Sequence, residues 1–127
     1  MAEILVVDDD DVIRETLCEL LSAQYLCETA ETAEQALAKL QAKSYDVVLT
    51  DISMPGLTGT DLLARVNKHY PNTVVIIISG ASDHDQAEKL LSMGAFEYLQ
   101  KPFRLEVVEN SVERALDQGN ARRRSSV

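Results

Sequence analysis

The sequence predicts an α/β fold in which helices cover both faces of a parallel sheet. Five short aliphatic runs alternate along the 127 residues with five longer segments whose apolar residues recur at helical spacing. The runs are continuous, which is typical of strands buried on both faces. A chain of this length without an internal repeat predicts one domain.

The first half of the chain contains three strands and two helices. Residues 4–7 are aliphatic and end at an acidic run, which predicts the first strand. Residues 12–23 carry apolar side chains on one helical face, and residues 26–29 form a short second strand. A capping-box pattern begins a helix over 32–43, and residues 46–50 are the third strand.

The second half continues the alternation. Proline and glycine mark residues 54–59 as a loop, and the helix that follows ends near His69, before a Tyr-Pro-Asn break. Residues 73–78 form the most aliphatic strand. A polar cap then begins a helix that reaches Met93 and is stopped by Gly94.

The last strand and the last helix are predicted at 96–99 and 104–118. From Gly119 onward the composition becomes small, polar and basic. We therefore expect a domain over 1–118 and a polar, basic tail, or the start of a linker, over 119–127.

Charge and hydropathy exclude several classes of function. The 12 basic and 21 acidic residues give a net charge of −9, which opposes binding to nucleic acid or anionic membranes and suits Mg²⁺ or a basic partner. The longest aliphatic run, Val74–Ile78, is far shorter than the ~20 residues of a membrane helix. The N-terminus lacks a signal-peptide pattern, so we expect a cytoplasmic protein. Cys18 and Cys27 are predicted to be buried free thiols.

Polar side chains follow four of the five predicted strands. Asp8 and Asp9 come after the first strand, Asp51 after the third, Ser79 after the fourth and Lys101 after the fifth. Because the carboxyl ends of parallel strands share one edge of the sheet, we expect these side chains to meet in one cleft.

The expected cleft combines three carboxylates, a hydroxyl and an ammonium group. Neighbouring carboxylates repel each other unless they take up protons or bind a hard cation. Oxygen ligands without histidine or cysteine favour Mg²⁺, which readily shares its site with phosphate oxygens. A carboxylate there could attack a phosphoryl group and form an aspartyl phosphate. Taken singly, the same residues also fit simpler roles as helix caps, turn residues or ordinary surface side chains.

Four motifs carry a family resemblance: residues 4–9 (ILVVDD), 49–56 (LTDISMPG), 77–81 (IISGA) and 94–103 (GAFEYLQKPF). Through these motifs almost the whole chain resembles the receiver domain of two-component response regulators. The resemblance implies the flavodoxin-like doubly wound sheet of five parallel strands, in the order 2-1-3-4-5, with five helices.

The resemblance also implies a metal site and a phosphoacceptor. Asp51 would accept a phosphoryl group from a phosphohistidine on a sensor histidine kinase or a phosphotransfer protein. Asp9 and Asp51 would bind Mg²⁺, with Asp8 acting directly or through water. The backbone carbonyl of Ser53 would be a further ligand.

Three residues would respond to the phosphoryl group. Lys101 would pair with Asp51 and then with the phosphoryl group, and Ser79 would donate its hydroxyl to a phosphoryl oxygen. Tyr98 would turn inward when Ser79 moves. Ser79 stands where the family more often has threonine, so a β-branched constraint on the rotamer is lost. The resemblance further implies a cis bond between Lys101 and Pro102.

The implied function is a switch and not an enzyme with an external substrate, since it would catalyse only its own phosphorylation and slow autodephosphorylation. Its face around residues 83–118 would bind an output domain or a partner protein, and a homodimer through that face is a further expectation. Two alternatives stay open: a phosphorylation-independent binding module with this fold, and a hydrolase that forms an aspartyl phosphate. Ser53 argues against the hydrolase, which would carry a second aspartate at that position.

Overall fold

The computed structural model describes residues 1–52, 56, 58–80 and 84–125. Strands and helices alternate along these residues. Their bounds are β1 Glu3–Val7, α1 Asp11–Leu21, β2 Leu26–Ala30, α2 Ala33–Ala42, β3 Val47–Asp51, α3 Gly59–His69, β4 Val74–Ser79, α4 His84–Ser92, β5 Glu97–Gln100 and α5 Leu105–Ser125.

The strands form one parallel sheet in the order β2-β1-β3-β4-β5. Successive side chains of β1 enter opposite apolar layers, as the pleat of a strand requires. Leu5 and Val7 pack in the layer that contains residues of α2, α3 and α4, whereas Ile4 and Val6 pack in the layer that contains residues of α1 and α5. The predicted sheet, buried on both faces, is therefore confirmed, as is the strand order implied by the resemblance.

Polar caps fix where three of the helices begin. The Asp10 carboxylate accepts hydrogen bonds from the backbone N–H groups of Val12 and Ile13, so α1 begins directly after the acidic run. The Thr32 hydroxyl accepts from the backbone of α2, as the capping-box pattern predicts. Thr58 forms a reciprocal capping box at the start of α3.

Helix α5 is longer than the sequence predicts. Its expected end lies near Gln118, yet the helix continues to Ser125. Gly119 is buried against β4, and no proline follows it, so neither packing nor backbone geometry ends the helix there. The proposed domain boundary after residue 118 lies inside this helix and stays a prediction. None of the helices in the described part of the chain, α5 included, is both long and apolar enough to cross a membrane.

The two cysteines lie at the contact between α1 and β2. Both are free, as predicted, but they are half-buried rather than fully buried. The Cys18 thiol lies 3.5 Å from the carbonyl oxygen of Cys27. Burial, and then the neighbouring Cys18 thiol, raises the pKa of the Cys27 thiol, so Cys27 stays protonated at neutral pH.

An ion pair joins β5 to α5. Arg114 donates from Nη1 to Glu97 Oε2 at 2.6 Å and from Nη2 to Glu97 Oε1 at 2.9 Å. The same guanidinium lies over the Phe96 ring, 5.8 Å from its centroid. The two hydrogen bonds lower the pKa of Glu97. The pair therefore stabilises the contact between the edge strand and the last helix.

Helix α3 begins against the backbone that follows β3. A Cβ atom on Gly59 would lie 2.4 Å from the carbonyl oxygen of Asp51 and 2.9 Å from the Cα atom of Ile52. The Gly59 N–H group donates to the Ile52 carbonyl at 3.0 Å. Only glycine permits so close an approach of the two backbones.

We expect Gly59→Ala to lower the free energy of unfolding by about 1–3 kcal/mol, because backbone atoms cannot move aside as a flexible side chain would. Gly119→Ala is the matched control, since its Cβ atom would lie 3.5 Å from Val74 Cγ2, an ordinary contact. Alanine favours a helix interior over glycine by up to about 1 kcal/mol, so the control should be neutral or stabilising. Urea unfolding measures both variants, and equal losses would contradict this account of Gly59.

The Arg114–Glu97 pair makes a prediction about pH. Because the pKa of Glu97 is lower in the folded chain than in the unfolded chain, the pair stabilises the fold above the ordinary glutamate pKa. This contribution is lost as the pH falls through the folded-state pKa. We expect Arg114→Ala to be less stable than wild type by about 0.5–1 kcal/mol at pH 7, with a smaller difference at pH 3. Urea unfolding at both pH values checks this, and a constant difference would assign the effect to packing over Phe96.

Candidate functional site

The site lies where the strand order reverses. β1 has β2 on one side and β3 on the other, so the chain changes direction across the sheet at this point. Val7 pairs in register with Thr50, which places Asp8 and Asp51 side by side at the carboxyl ends of β1 and β3. Parallel α/β sheets bind their ligands in the crevice outside such a switch point.

Three carboxylates meet there. One oxygen from each of Asp8, Asp9 and Asp51 lies within 4.8 Å of the other two. Asp8 is fully buried and Asp51 is 6% exposed, whereas Asp9 lies in solvent. The structure thus brings together the three acidic residues that the sequence predicts would converge. Their negative charges repel each other in a partly desolvated place.

Asp8 is the most constrained of the three. Burial raises the pKa of Asp8, and the nearby Asp51 carboxylate raises it further. The Asp10 N–H group donates to Asp8 Oδ1 at 2.9 Å and acts in the opposite direction, without reversing the shift. The other oxygen, Oδ2, is buried and accepts no hydrogen bond from the described residues, and its one ion pair among them is with Lys101. A buried carboxylate beside two other carboxylates is a position that further positive charge would stabilise.

Lys101 supplies the positive charge beside this cluster. Its Nζ atom lies 3.3 Å from Asp8 Oδ2 and 3.3 Å from Asp51 Oδ2. Burial on its own would lower the pKa of Lys101, but the two carboxylates outweigh this effect and raise the pKa. Lys101 is therefore protonated at neutral pH. One ammonium group faces three carboxylates, so negative charge remains in excess.

Ser79 and Tyr98 lie on one face of the sheet. Ser79 ends β4, one residue beyond the partner of Asp51 in the register, and its carbonyl accepts from the Lys101 N–H group at 2.7 Å. The Ser79 hydroxyl is buried, and no hydrogen bond to it occurs among the described residues. Tyr98 pairs in register with Ile77 and packs, half-buried, against the layer that contains α2, α3 and α4. Because side chains alternate along a strand, Ser79 shares the face of Ile77.

Two features complete the description of the cleft. The peptide bond between Lys101 and Pro102 is cis, as the resemblance implies. Ser53, whose carbonyl was expected to bind the metal, lies outside the described residues.

Gly59 was not identified from the sequence. A glycine directly after a threonine cap, where helix formers are usual, is nevertheless a visible signal of close packing.

The donor set suits Mg²⁺. All three acidic ligands offer oxygen, and no histidine or cysteine joins the group found among the described residues. Hard oxygen ligands select Mg²⁺, Ca²⁺ or Mn²⁺ over zinc and copper. With few protein ligands and an exposed Asp9, the site leaves room for water or phosphate oxygens, as Mg²⁺ requires. The residues present therefore fit the metal that the sequence predicts.

Comparison with known proteins agrees with the geometry. A family model described as the response regulator receiver domain matches residues 4–113. The DNA-binding transcriptional regulator NtrC of Salmonella typhimurium is 43% identical over 112 residues, which are 87% of this chain and 24% of that protein. A receiver-domain crystal structure from Clostridium thermocellum has a TM-score of 0.90 and 34% identity, covering 95% of this chain and 98% of the other.

A longer protein contains the same fold. The crystal structure of NtrX from Brucella abortus in complex with ADP has a TM-score of 0.93 at 34% identity, and the match covers 99% of this chain and 30% of that one. The chain spans about a quarter of the length of the NtrC proteins it matches. The family match covers most of the chain, and the acidic cluster and Lys101 lie at the edge of the sheet where a ligand site is expected. The chain therefore belongs to the receiver domain family of response regulators.

Proposed function

We propose that this receiver domain is a phosphorylation-controlled switch in which Asp51 accepts the phosphoryl group and Asp8, Asp9 and Asp51 bind Mg²⁺. The observation that carries the proposal is the meeting of three carboxylates with the Lys101 ammonium group at the switch point of the sheet. Receiver domains bind Mg²⁺ at an acidic site and are in general signalling modules rather than enzymes. Slow autodephosphorylation would be the remaining chemistry of the chain.

Asp51 has the chemistry of the nucleophile. One of its carboxylate oxygens would attack the phosphorus of a phosphohistidine, so that a P–O bond forms while the P–N bond breaks and the imidazole leaves. Mg²⁺, when bound, neutralises negative charge on the transferred group. Asp8 and Asp9 would hold the metal next to Asp51, with the Ser53 carbonyl as a further proposed ligand.

Lys101 and Ser79 would detect the new group. Lys101 Nζ already donates a hydrogen bond to Asp51 Oδ2. After phosphorylation, its ammonium group would pair with the negatively charged phosphoryl oxygens. The Ser79 hydroxyl would donate to a phosphoryl oxygen, and Tyr98, on the same face, would move into the space that Ser79 leaves. Phosphorylation can shift the equilibrium between two conformations only by its different contacts in each, and these three residues supply that difference.

The chain matches about a quarter of a DNA-binding transcriptional regulator, NtrC, so the proposed partners are a phosphoryl donor and an output domain. We propose a histidine kinase or a phosphotransfer protein as the donor here. An apolar groove of about 470 Å³ borders Lys101 and offers the donor a contact surface. It is lined by Val12, Ile13, Thr16, Leu17, Pro102, Phe103 and Leu105.

The output would bind the face around residues 83–118. Leu91, Met93 and Val107 are exposed large apolar side chains within this range, and they supply apolar area to a partner. An output domain, a separate protein or a second copy of the chain would use the same face. The cytoplasm is the proposed location, where such a kinase would act.

The first prediction about function concerns labelling. We expect acetyl phosphate to add one phosphoryl group to wild type in the presence of Mg²⁺, and none in its absence, because the metal must offset the charge of the three carboxylates. Asp51→Asn keeps the shape of the side chain, removes the nucleophile and should not be labelled. Intact-mass spectrometry measures all three samples. Full labelling of Asp51→Asn would refute the choice of Asp51.

Two controls separate the alternatives. A beryllofluoride complex would reveal a functional site whose aspartyl phosphate hydrolyses too fast to observe. If neither the phosphoryl adduct nor the beryllofluoride complex forms, a phosphorylation-independent binding module is favoured. Turnover of an external phosphomonoester such as p-nitrophenyl phosphate would favour the hydrolase.

A second prediction concerns stability. Asp51→Asn removes one of three repelling charges, so in the absence of metal its melting temperature should exceed that of wild type by a few degrees. Added Mg²⁺ should raise the melting temperature of wild type, because a cation that binds only the folded chain stabilises it, and should raise that of Asp51→Asn less. Calorimetry with EDTA and with excess Mg²⁺ measures the four values. Equal effects of Mg²⁺ on both proteins would place the metal elsewhere.

A further inference from the structure

Arg14 is a buried cation that the proposed mechanism does not use. It lies on α1 and is 7% exposed. Its guanidinium donates from Nη1 to the backbone carbonyl of Asp8 at 2.8 Å. Its Nη2 atom donates a hydrogen bond to the Asp11 carboxylate and lies 3.6 Å from Glu31 Oε1. One side chain therefore joins the end of β1, the first turn of α1 and the residue that follows β2.

The Asp8 carbonyl belongs to the peptide group that connects two of the three acidic ligands. On the other side of the Asp8 Cα atom, the Asp8 N–H group donates to the Ala30 carbonyl at 3.2 Å. The Asp8 side chain is held in turn by the Asp10 N–H group. The hydrogen bond from Arg14 thus restrains the orientation of the Asp8–Asp9 peptide plane, which neither of those two contacts holds.

The position of the Asp9 carboxylate depends most on this restraint of the backbone. It is exposed, and no hydrogen bond or ion pair of its side chain occurs among the described residues. Its carboxylate nevertheless lies within 4.8 Å of the oxygens of Asp8 and Asp51. Because none of the described side chains holds it by a hydrogen bond or an ion pair, its place in the cluster depends on the backbone that precedes it.

We propose that Arg14 is a positioning residue that sets the divalent-metal affinity of the site by holding the Asp8–Asp9 peptide. The inference rests on the proposed metal site and deepens it. Residues that orient metal ligands without touching the metal typically change its affinity by about 10–100-fold when they are replaced.

The direction in which metal affinity changes in Arg14 variants distinguishes a positioning role from a purely electrostatic role. If Arg14 acted only through its charge, Arg14→Met would remove a cation near the site and tighten metal binding, and Arg14→Lys would change nothing. If Arg14 acts through geometry, both variants weaken binding, because a lysine ammonium is a compact charge that lacks the planar set of donors reaching three acceptors at once.

The test is direct binding of Mn²⁺, followed by electron paramagnetic resonance and competed with Mg²⁺, on folded wild type and both variants. We expect Arg14→Lys and Arg14→Met each to weaken binding about 10-fold. Arg114→Lys is the matched control: it makes the same replacement in another arginine–carboxylate pair, away from the site, and should leave metal binding unchanged. A second readout is amide hydrogen exchange, which should become faster in Arg14→Lys at Asp10, whose N–H group donates to Asp8 Oδ1.

The outcomes are distinct. Metal affinity in Arg14→Lys that equals wild type, or tighter binding in Arg14→Met, overturns the positioning role while the metal site stands. Absence of Mn²⁺ binding to wild type overturns the proposed site and this inference with it. A lower melting temperature in Arg14→Lys with unchanged affinity assigns Arg14 to stability alone. If Arg14→Met does not fold, Arg14→Lys, which keeps the charge, decides the question.

Discussion

Three carboxylates share the carboxyl ends of β1 and β3, and their mutual repulsion is the constraint on which the rest of the site depends. One of them is fully buried and another nearly so, so solvent screens their charges poorly. Lys101 offsets part of the repulsion, and the remaining negative charge attracts a cation. The residues around the cluster hold it together against this force, through the register of the strands, the close approach of α3 and the bond from Arg14 to the backbone.

The apolar packing of the sheet offsets the destabilising repulsion among the three carboxylates. Both faces of the sheet are covered by apolar layers. The strands β3 and β4, which end at Asp51 and Ser79, are buried along their length, and β1 is buried from Ile4 to Val7, directly before Asp8. The buried side chains of Asp8 and Asp51, at the end of so rigid a sheet, cannot move apart to relieve repulsion as they would in a loop. The same rigidity keeps their oxygens within 4.8 Å of one another, as a shared cation would require. The proposed affinity for a cation and the resistance to rearrangement would therefore have one structural origin.

Much of this arrangement could be predicted from the sequence, because the alternation of strands and helices places strand-terminal residues at one edge. Asp8, Asp9, Asp51 and Lys101 meet as that argument predicts. The order of the strands came from the family resemblance, since alternation alone does not determine it. Arg14 could not be found from a local pattern, because one of its acceptors is the backbone that follows β1. The glycine after the Thr58 cap signals close packing, but it does not identify the partner, which is the backbone at the end of β3. The half-burial of Cys18 and Cys27 and the length of α5 were also missed, since all depend on how neighbouring elements pack.

The continuous α5 has a mechanical consequence. From Leu105 to Ser125 the helix is about 30 Å long at 1.5 Å per residue. Its first half packs against the sheet through Val108, Val112 and Ala115, whereas Asn120 and Ala121 are already exposed. A tilt of about 10° at the packed end would displace the far end of such a helix by about 5 Å. A small repacking where α5 meets the sheet would therefore appear several times enlarged at the exposed end of the helix.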